Sequence, residues 1–133
     1  MLEDLIIDRT EYTPSISFSV NAKDFMIVGE ARPENAGKFF EPVLLWLKNF
    51  SETAHNDESF KQNKSVKVYF ILDYFNSSSI KYLYDVLKQL EFIKPYLFSL
   101  EIVWSHESSD EDMYENGVEF SKIIDVPFIF EKR

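Results

Sequence analysis

Two long apolar segments separated by one helical pattern constrain the fold of this chain most strongly. Residues 66–75 (VKVYFILDYF) and 97–104 (LFSLEIVW) are rich in continuous apolar and aromatic residues, as is typical of strands covered on both faces. Between them, apolar residues from Ile80 to Leu90 recur three and four residues apart, which predicts a helix that ends before Pro95. A strand, a helix and a strand in this order predict a crossover between two parallel central strands.

The remaining strands are predicted from alternation. Residues 15–20 (SISFSV) and 25–30 (FMIVGE) alternate around NAKD and predict a hairpin, which we expect to form an edge pair. Residues 126–131 (VPFIFE) predict a short last strand. Pro127 has no N–H to donate, which favours a strand start or an edge position.

Two further helices complete the pattern. Apolar residues at three- and four-residue spacings over residues 39–50 follow a polar PEN, and Pro42 should kink this helix or mark a late start. After the segment SHESSDED, Ser108 and Glu111 form a capping-box pattern for a third helix, which Gly117 should weaken.

These elements predict an α/β fold with a mixed central sheet of about five to six strands, an N-terminal hairpin and three helices. The chain has 133 residues, 45% of them hydrophobic, which is enough for a single core and too few for two ordinary cores. We therefore expect residues 1–133 to form a single domain.

Charge and composition exclude several functions. The net charge of −9 predicts repulsion of phosphate backbones and anionic lipid heads, so we expect neither nucleic acid nor membrane partners. The chain has no cysteine, which excludes disulfides and a thiol nucleophile. No apolar run approaches the roughly 20 residues that span a bilayer, and no signal-peptide pattern occurs, which predicts a cytoplasmic protein.

The predicted topology brings three loops together. Parallel strands that end near Glu30, Phe75 and Trp104 release their loops at one edge of the sheet, where ligand and partner sites are favoured in open α/β sheets. We therefore expect the segments RPEN, NSSS and SHESSDED to be neighbours.

No catalytic centre or cofactor site is evident. The two histidines, His55 and His106, lie outside any nucleophile motif, and there is no glycine-rich phosphate loop. A metal site would have to be built from His106, Glu107, Asp110 and Asp112. The spacing of these four residues follows no known ligand pattern. We predict no catalytic residue, no metal and no cofactor.

Three adjacent serines at the start of the central helix are the most unusual local feature. Either Asn76 or Ser77 suffices to cap that helix. Ser77, Ser78 and Ser79 also suit a second use, because a helix N-terminus accommodates a phosphoryl group. We expect nearby acidic residues to repel the added charge; these are Glu30, Glu34 and Asp73.

Four blocks of the chain resemble one family. TPSISF, GEARPENAGKFFEPVLLWLKNF, FILDYFNSSSIKYLYDVLKQLE and DEDMYENGVEFSKIIDVPF together resemble the SiaC family of bacterial regulatory phosphoproteins. The resemblance implies a fold like the STAS domain of anti-sigma-factor antagonists. It also implies a kinase and a PP2C-type phosphatase as partners, and an unphosphorylated form that activates a diguanylate cyclase.

The resemblance also implies a phosphoacceptor. In the SiaC pattern the hydroxyl residue directly after the asparagine is modified, which selects Ser77, whereas the antagonist pattern points to Ser78. Ser79 is then interpreted as part of the helix cap. The expected partner surface consists of Arg32, Pro33, Glu34, Asn35, Asn76 and Lys81, with Arg32 and Lys81 as phosphate contacts.

Three functions remain open from the sequence. The first is a non-catalytic regulatory phosphoprotein of a partner-switching system. The second is a constitutive interaction or scaffold module in which the serines only cap a helix. The third is a small metal-dependent enzyme that uses carboxylates at the sheet edge.

Overall fold

Residues 2–133, which the computed structural model describes, form a six-stranded mixed sheet with four α-helices and one 3-10 turn at Lys94–Tyr96. The strands are β1 (Leu5–Ile7), β2 (Ser15–Phe18), β3 (Asp24–Ala31), β4 (Ser65–Phe75), β5 (Ser99–His106) and β6 (Phe128–Lys132). The helices are α1 (Ala36–Asn56), α2 (Ser59–Asn63), α3 (Ser77–Ile93) and α4 (Glu111–Ile123). The predicted α/β fold is confirmed, except that the short helix α2 was not predicted.

The strands lie side by side in chain order, antiparallel from β1 to β3 and parallel from β3 to β6. The predicted hairpin is confirmed as β2 and β3, and β6 forms one edge directly after Pro127. The expectation that the hairpin is an edge pair is wrong, because β1 pairs with β2 and β3 pairs with β4. A strand of three residues carries too little alternation to be detected from sequence.

The helices cover one face of the sheet only. Phe40 of α1, Leu83 of α3 and Phe120 of α4 share one core with alternate residues of the strands. On β4, the even-numbered residues from Val66 to Leu72 are buried, whereas Lys67 is exposed. The prediction that the central strands are covered on both faces is therefore wrong for β4, whereas in β5 the residues from Ile102 to His106 are buried on both faces. We call the side without helices the open face; it carries the exposed or half-buried Met26, Val28, Lys67, Tyr69 and Ile71 and, on β5, the buried Val103.

Trp104 is the centre of the packing between the sheet and α4. Its side chain is fully buried, stacks on Phe70 at 5.4 Å between ring centroids and contacts Phe120 at 5.6 Å. Its Nε1 donates to the carbonyl oxygen of Met113 at 2.9 Å. A Cβ added at Gly117 would lie 2.6 Å from Nε1 of Trp104, so the helix approaches the indole closely only because this position has no side chain.

The first residues of α1 and α4 differ in part from the helix starts that the sequence predicts. Asn35 caps α1, which begins at Ala36 and runs through Pro42, so the expected late start is wrong. The predicted capping box at Ser108 is also wrong, because Oδ1 of Asp110 accepts from Met113 N at 3.0 Å and α4 begins one residue later.

Gly117→Ala should lower the free energy of unfolding by about 1–3 kcal/mol, because the added methyl group overpacks against Trp104. Helix propensity alone predicts the opposite sign, since alanine favours a helix over glycine by about 1 kcal/mol. Chemical denaturation measures the difference. Asn116→Ala, at an exposed neighbouring position, is the control and should leave stability nearly unchanged, and a Gly117→Ala protein as stable as wild type would contradict the packing described.

Glu91 joins the end of α3 to the segment before β6. Its Oε2 accepts from Asp125 N at 2.6 Å, and its Oε1 accepts from Nζ of Lys88 at 2.7 Å. These bonds hold the pKa of the Glu91 carboxyl below its usual value, with the Asp125 backbone bond as the larger cause.

Because the pKa of Glu91 is lower in the folded state, its stabilising effect is present above the unfolded pKa and lost as pH falls through the folded pKa. Glu91→Gln should be less stable than wild type at neutral pH, and the difference should vanish in acid. Urea unfolding over a pH series tests this, with Glu115→Gln on an exposed site as control. A difference that does not depend on pH would contradict the assignment.

Candidate functional site

The end of β3 and the start of α3 meet at one carbonyl group. The backbone N–H of Asn76 donates to the carbonyl oxygen of Ala31 at 2.9 Å. Oδ1 of Asn76 accepts from the N–H of Ser79 at 3.1 Å, so the cap of α3 is Asn76 rather than Ser77. The RPEN and NSSS loops are therefore neighbours at the edge where the parallel strands end, which we call the carboxyl edge.

The three serines have different environments. Ser77 is exposed, and its hydroxyl has no hydrogen-bond partner within residues 2–133. The hydroxyl of Ser78 is exposed but donates to Oδ1 of Asn76 at 3.1 Å. Ser79 is fully buried, and its hydroxyl donates to the carbonyl oxygen of Ala31 at 3.2 Å. Only the backbone of Ser79 takes part in the cap; its hydroxyl instead anchors α3 to the end of β3.

The RPEN turn connects β3 to α1. Oδ1 of Asn35 accepts from Lys38 N at 3.0 Å and caps α1. Pro33 is buried, whereas Arg32 and Glu34 are exposed. A groove of about 710 Å³ opens beside this turn, and its lining residues are Thr10, Tyr12, Thr13, Arg32, Pro33 and Glu34.

The capped starts of α1 and α3 pack against each other. The ring of Tyr82 stacks on Phe40 with 5.8 Å between centroids. A Cβ added at Gly37 would lie 2.8 Å from the hydroxyl oxygen of Tyr82, so the first turn of α1 passes directly over this tyrosine. Two helix N-termini, each capped by an asparagine, therefore lie side by side at the carboxyl edge.

Three arginines reduce the negative charge at this edge, and two of them, Arg9 and Arg133, were not singled out in the sequence. Asp73 lies between Arg9, at 3.4 Å, and Arg133, at 3.6 Å. Glu30 accepts from Nε of Arg32 at 3.1 Å. The expected repulsion of a phosphate by Asp73 and Glu30 is thus partly offset. No local pattern could have revealed these arginines, because Arg9 and Arg133 are more than 55 residues from Asp73 in the chain.

The two residues proposed as phosphate contacts have other partners here. Arg32 lies over the ring of Tyr12, with 5.0 Å from its guanidinium carbon to the centroid. Nζ of Lys81 is 3.1 Å from Oδ2 of Asp85 and lies over Tyr82 at 4.7 Å. Lys81 is nevertheless highly exposed and can reorient.

The third loop contains no ligand cluster. His106 is buried, its Nδ1 lies 3.0 Å from the carbonyl oxygen of Glu107 and its ring packs on Tyr114. Asp110 is occupied as the cap of α4. Within residues 2–133, no group of three or more histidine or acidic side chains is arranged to hold a metal ion.

None of the helices that the structure describes combines the length and the apolar character needed to cross a bilayer.

Comparison with known proteins gives a consistent result. A family model described as SiaC family regulatory phosphoprotein matches residues 7–133. An uncharacterised protein of Pseudomonas aeruginosa strain UCBPP-PA14 is 26% identical over 130 residues, which is 98% of this chain and 97% of the relative.

Solved structures agree over the same length. A chain of the crystal structure of diguanylate cyclase SiaD in complex with its activator SiaC, from Pseudomonas aeruginosa, is 26% identical with a TM-score of 0.82, covering 98% of this chain and 100% of that chain. A structure of SiaC alone from the same organism is 25% identical with a TM-score of 0.80, and covers 98% of this chain and 99% of its own.

Asn76→Ala should cost about 1 kcal/mol of stability, because it removes the side-chain acceptor for the first turn of α3. Ser77→Ala, one residue later, should change stability by less than about 0.5 kcal/mol, since its hydroxyl makes no bond. Thermal or urea unfolding of both variants compares them directly. Equal losses, or a larger loss for Ser77→Ala, would contradict the assignment of the cap to Asn76.

Proposed function

The chain belongs to the SiaC family of regulatory phosphoproteins, and on this premise we propose that it is a non-catalytic switch whose binding to a diguanylate cyclase is controlled by phosphorylation at Ser77. A protein serine/threonine kinase would add the phosphate and a PP2C-type phosphatase would remove it. The proposal assumes a cytoplasmic protein that needs no cofactor.

Likeness over the whole chain supports the choice of partner. SiaC of Pseudomonas aeruginosa is the activator of the diguanylate cyclase SiaD, and a chain of that complex matches 98% of the present chain. The match covers 98% of this chain and 100% of that chain, so the shared fold extends over the whole of both chains. We therefore propose a diguanylate cyclase as the partner of the unphosphorylated form.

The different environments of the serines support Ser77 as the phosphoacceptor, and this is the observation that carries the proposal. A kinase needs an accessible hydroxyl, and burial excludes Ser79. Ser78 must give up its bond to Asn76 before it reacts, whereas Ser77 is both exposed and unbonded. Ser78 remains the second candidate because its hydroxyl is also exposed.

A phosphate on Ser77 would change the partner surface without unfolding it. It would add about −1.5 to −2 charges at the N-terminus of α3, where backbone N–H groups and the helix dipole favour an anion. Lys81 lies one turn further along the same side of the helix and could exchange Asp85 for the phosphate. Arg32 of the RPEN turn is the second proposed contact and would have to leave Glu30 and the ring of Tyr12 to reach the phosphate.

The proposed cyclase surface consists of residues of the RPEN turn and of the start of α3. It comprises Arg32, Glu34, Asn35, Asn76 and Lys81, with the buried Pro33 fixing the shape of the turn. Exposed arginine is frequent among residues that dominate binding energy, and the groove beside Arg32 offers a recess for a partner side chain. A phosphate on Ser77, at the rim of this surface, would repel an acidic partner. It would also occupy space that the partner needs.

The alternative of a constitutive scaffold receives less support. In that function the serines serve only as caps, but the capping acceptor is Asn76. Neither the hydroxyl of Ser77 nor that of Ser78 is required for the helix, so these side chains are available for another purpose.

Ser77→Glu should weaken binding to a purified diguanylate cyclase of the same genome by at least about tenfold, because it adds a negative charge at the interface. Ser77→Ala should bind like wild type and should no longer be labelled by the cognate kinase. Binding isotherms, cyclase turnover and mass-spectrometric mapping of the phosphate provide the three measurements.

Ser65→Glu is the matched control, because Ser65 is exposed at the opposite end of β4. It should leave cyclase binding unchanged. If Ser77→Glu binds and activates the cyclase as well as wild type does, the switch is refuted in favour of a scaffold. If the phosphate is mapped to Ser78 alone, the choice of serine is wrong while the switch survives.

A further inference from the structure

The side chain of Asn76 serves both the helix cap and one of the two exposed serines. Its Oδ1 accepts from the backbone N–H of Ser79 at 3.1 Å and also from the hydroxyl of Ser78 at 3.1 Å. The backbone N–H of Asn76 donates to the carbonyl oxygen of Ala31 at 2.9 Å, so the residue is held at the end of β3. One fixed oxygen therefore binds the backbone of the third serine and the hydroxyl of the second.

The two exposed serines lie on different sides of α3. Successive residues of a helix lie about 100° apart around its axis, and residues four apart lie on one side. Ser78 shares its side of α3 with Tyr82, whose ring packs against α1. Ser77 shares its side with Lys81, which is highly exposed. The adjacent serines therefore have different neighbours, and only Ser78 reaches Oδ1 of Asn76 with its hydroxyl.

Phosphoryl transfer requires a hydroxyl proton that can be given up. The serine Oγ forms a bond to the γ-phosphorus of a nucleoside triphosphate, the nucleoside diphosphate leaves, and a base of the kinase accepts the hydroxyl proton. A serine hydroxyl has a single proton to donate. In Ser78 this proton is bound to Asn76, whereas in Ser77 it has no acceptor within residues 2–133. A kinase base must therefore displace Asn76 to reach Ser78 and meets no competitor at Ser77.

We propose that Asn76 sets the choice of phosphoacceptor, because it binds the hydroxyl proton of Ser78 and leaves that of Ser77 free. Asn76 is a positioning residue, since it does not itself receive the phosphate. The inference rests on the proposed function and adds the residue that gives it site selectivity.

The role of Asn76 explains how a run of three serines presents one acceptor. Burial excludes Ser79, and the bond to Asn76 restrains Ser78, so that Ser77 alone is both exposed and unbonded. The expected selectivity from Asn76 is modest, because a single hydrogen bond between neutral groups changes an equilibrium by about two- to tenfold.

Asn76→Ala tests this choice. Wild type and variant are incubated with the purified cognate kinase and ATP, and site-resolved mass spectrometry measures the ratio of phosphate on Ser78 to phosphate on Ser77 at early times. In wild type most of the phosphate should be on Ser77. In Asn76→Ala the ratio should rise by about two- to tenfold, since the proton of Ser78 is then free.

Two further variants separate this role from the helix cap. Asn76→Asp keeps the oxygen acceptor and binds the hydroxyl of Ser78 through a charge-assisted bond, so its ratio should stay at or below that of wild type. Asn35→Ala removes the equivalent cap from α1, where Oδ1 accepts from Lys38 N at 3.0 Å, and should leave the ratio unchanged. Equal rises in Asn35→Ala and Asn76→Ala would reflect loosened helix starts and overturn the proposal.

The outcomes distinguish this inference from the proposed function. An unchanged ratio in Asn76→Ala, with the variant folded by circular dichroism, overturns the inference alone. A ratio above that of wild type in Asn76→Asp also overturns it, and this second test does not depend on the folding of Asn76→Ala. Wild type labelled mainly on Ser78 overturns the inference while the switch survives. Absence of phosphate from both serines of wild type overturns the switch and the inference together.

Discussion

The parallel pairing of β3 and β4, which ends at the carbonyl group of Ala31, is the constraint on which the functional edge depends. That carbonyl accepts from the backbone of Asn76 and from the buried hydroxyl of Ser79, so the end of one strand holds the start of the helix that follows the next. Because the two strands run in the same direction, the RPEN turn and the serines leave the sheet together. An antiparallel pairing would have separated them by the length of a strand.

Charge is unevenly distributed in this acidic molecule. The chain carries −9 overall, yet the acidic groups next to the serines are paired with Arg9, Arg32 and Arg133. This pairing leaves the entrance of α3 less negative than the composition suggests, which suits a site that gains and loses phosphate.

The apolar patterns of β4 and β5 predicted how these strands pair better than they predicted what covers them. Continuous apolar residues predicted parallel central strands correctly, because both faces of these strands carry apolar side chains. The same pattern predicted cover on both faces, and the helices cover only one. Local signals failed where contacts between strands decide, as at β1, whose three residues become a strand only through pairing with β2. At Ser108 the miss was itself local, because Asp110, two residues later, takes the cap.

The sequence by itself determined the order of strands and helices, the asparagine and serine residues at the start of α3, and the family, because these depend on periodicity and on residues adjacent in the chain. Only the tertiary structure decided which serine hydroxyl is free, which arginines reach Asp73 and which sheet face stays uncovered. Those properties arise from contacts between residues far apart in sequence, such as Ser79 with Ala31 and Arg9 with Asp73. Their cause is the packing of the whole sheet, which no local pattern encodes.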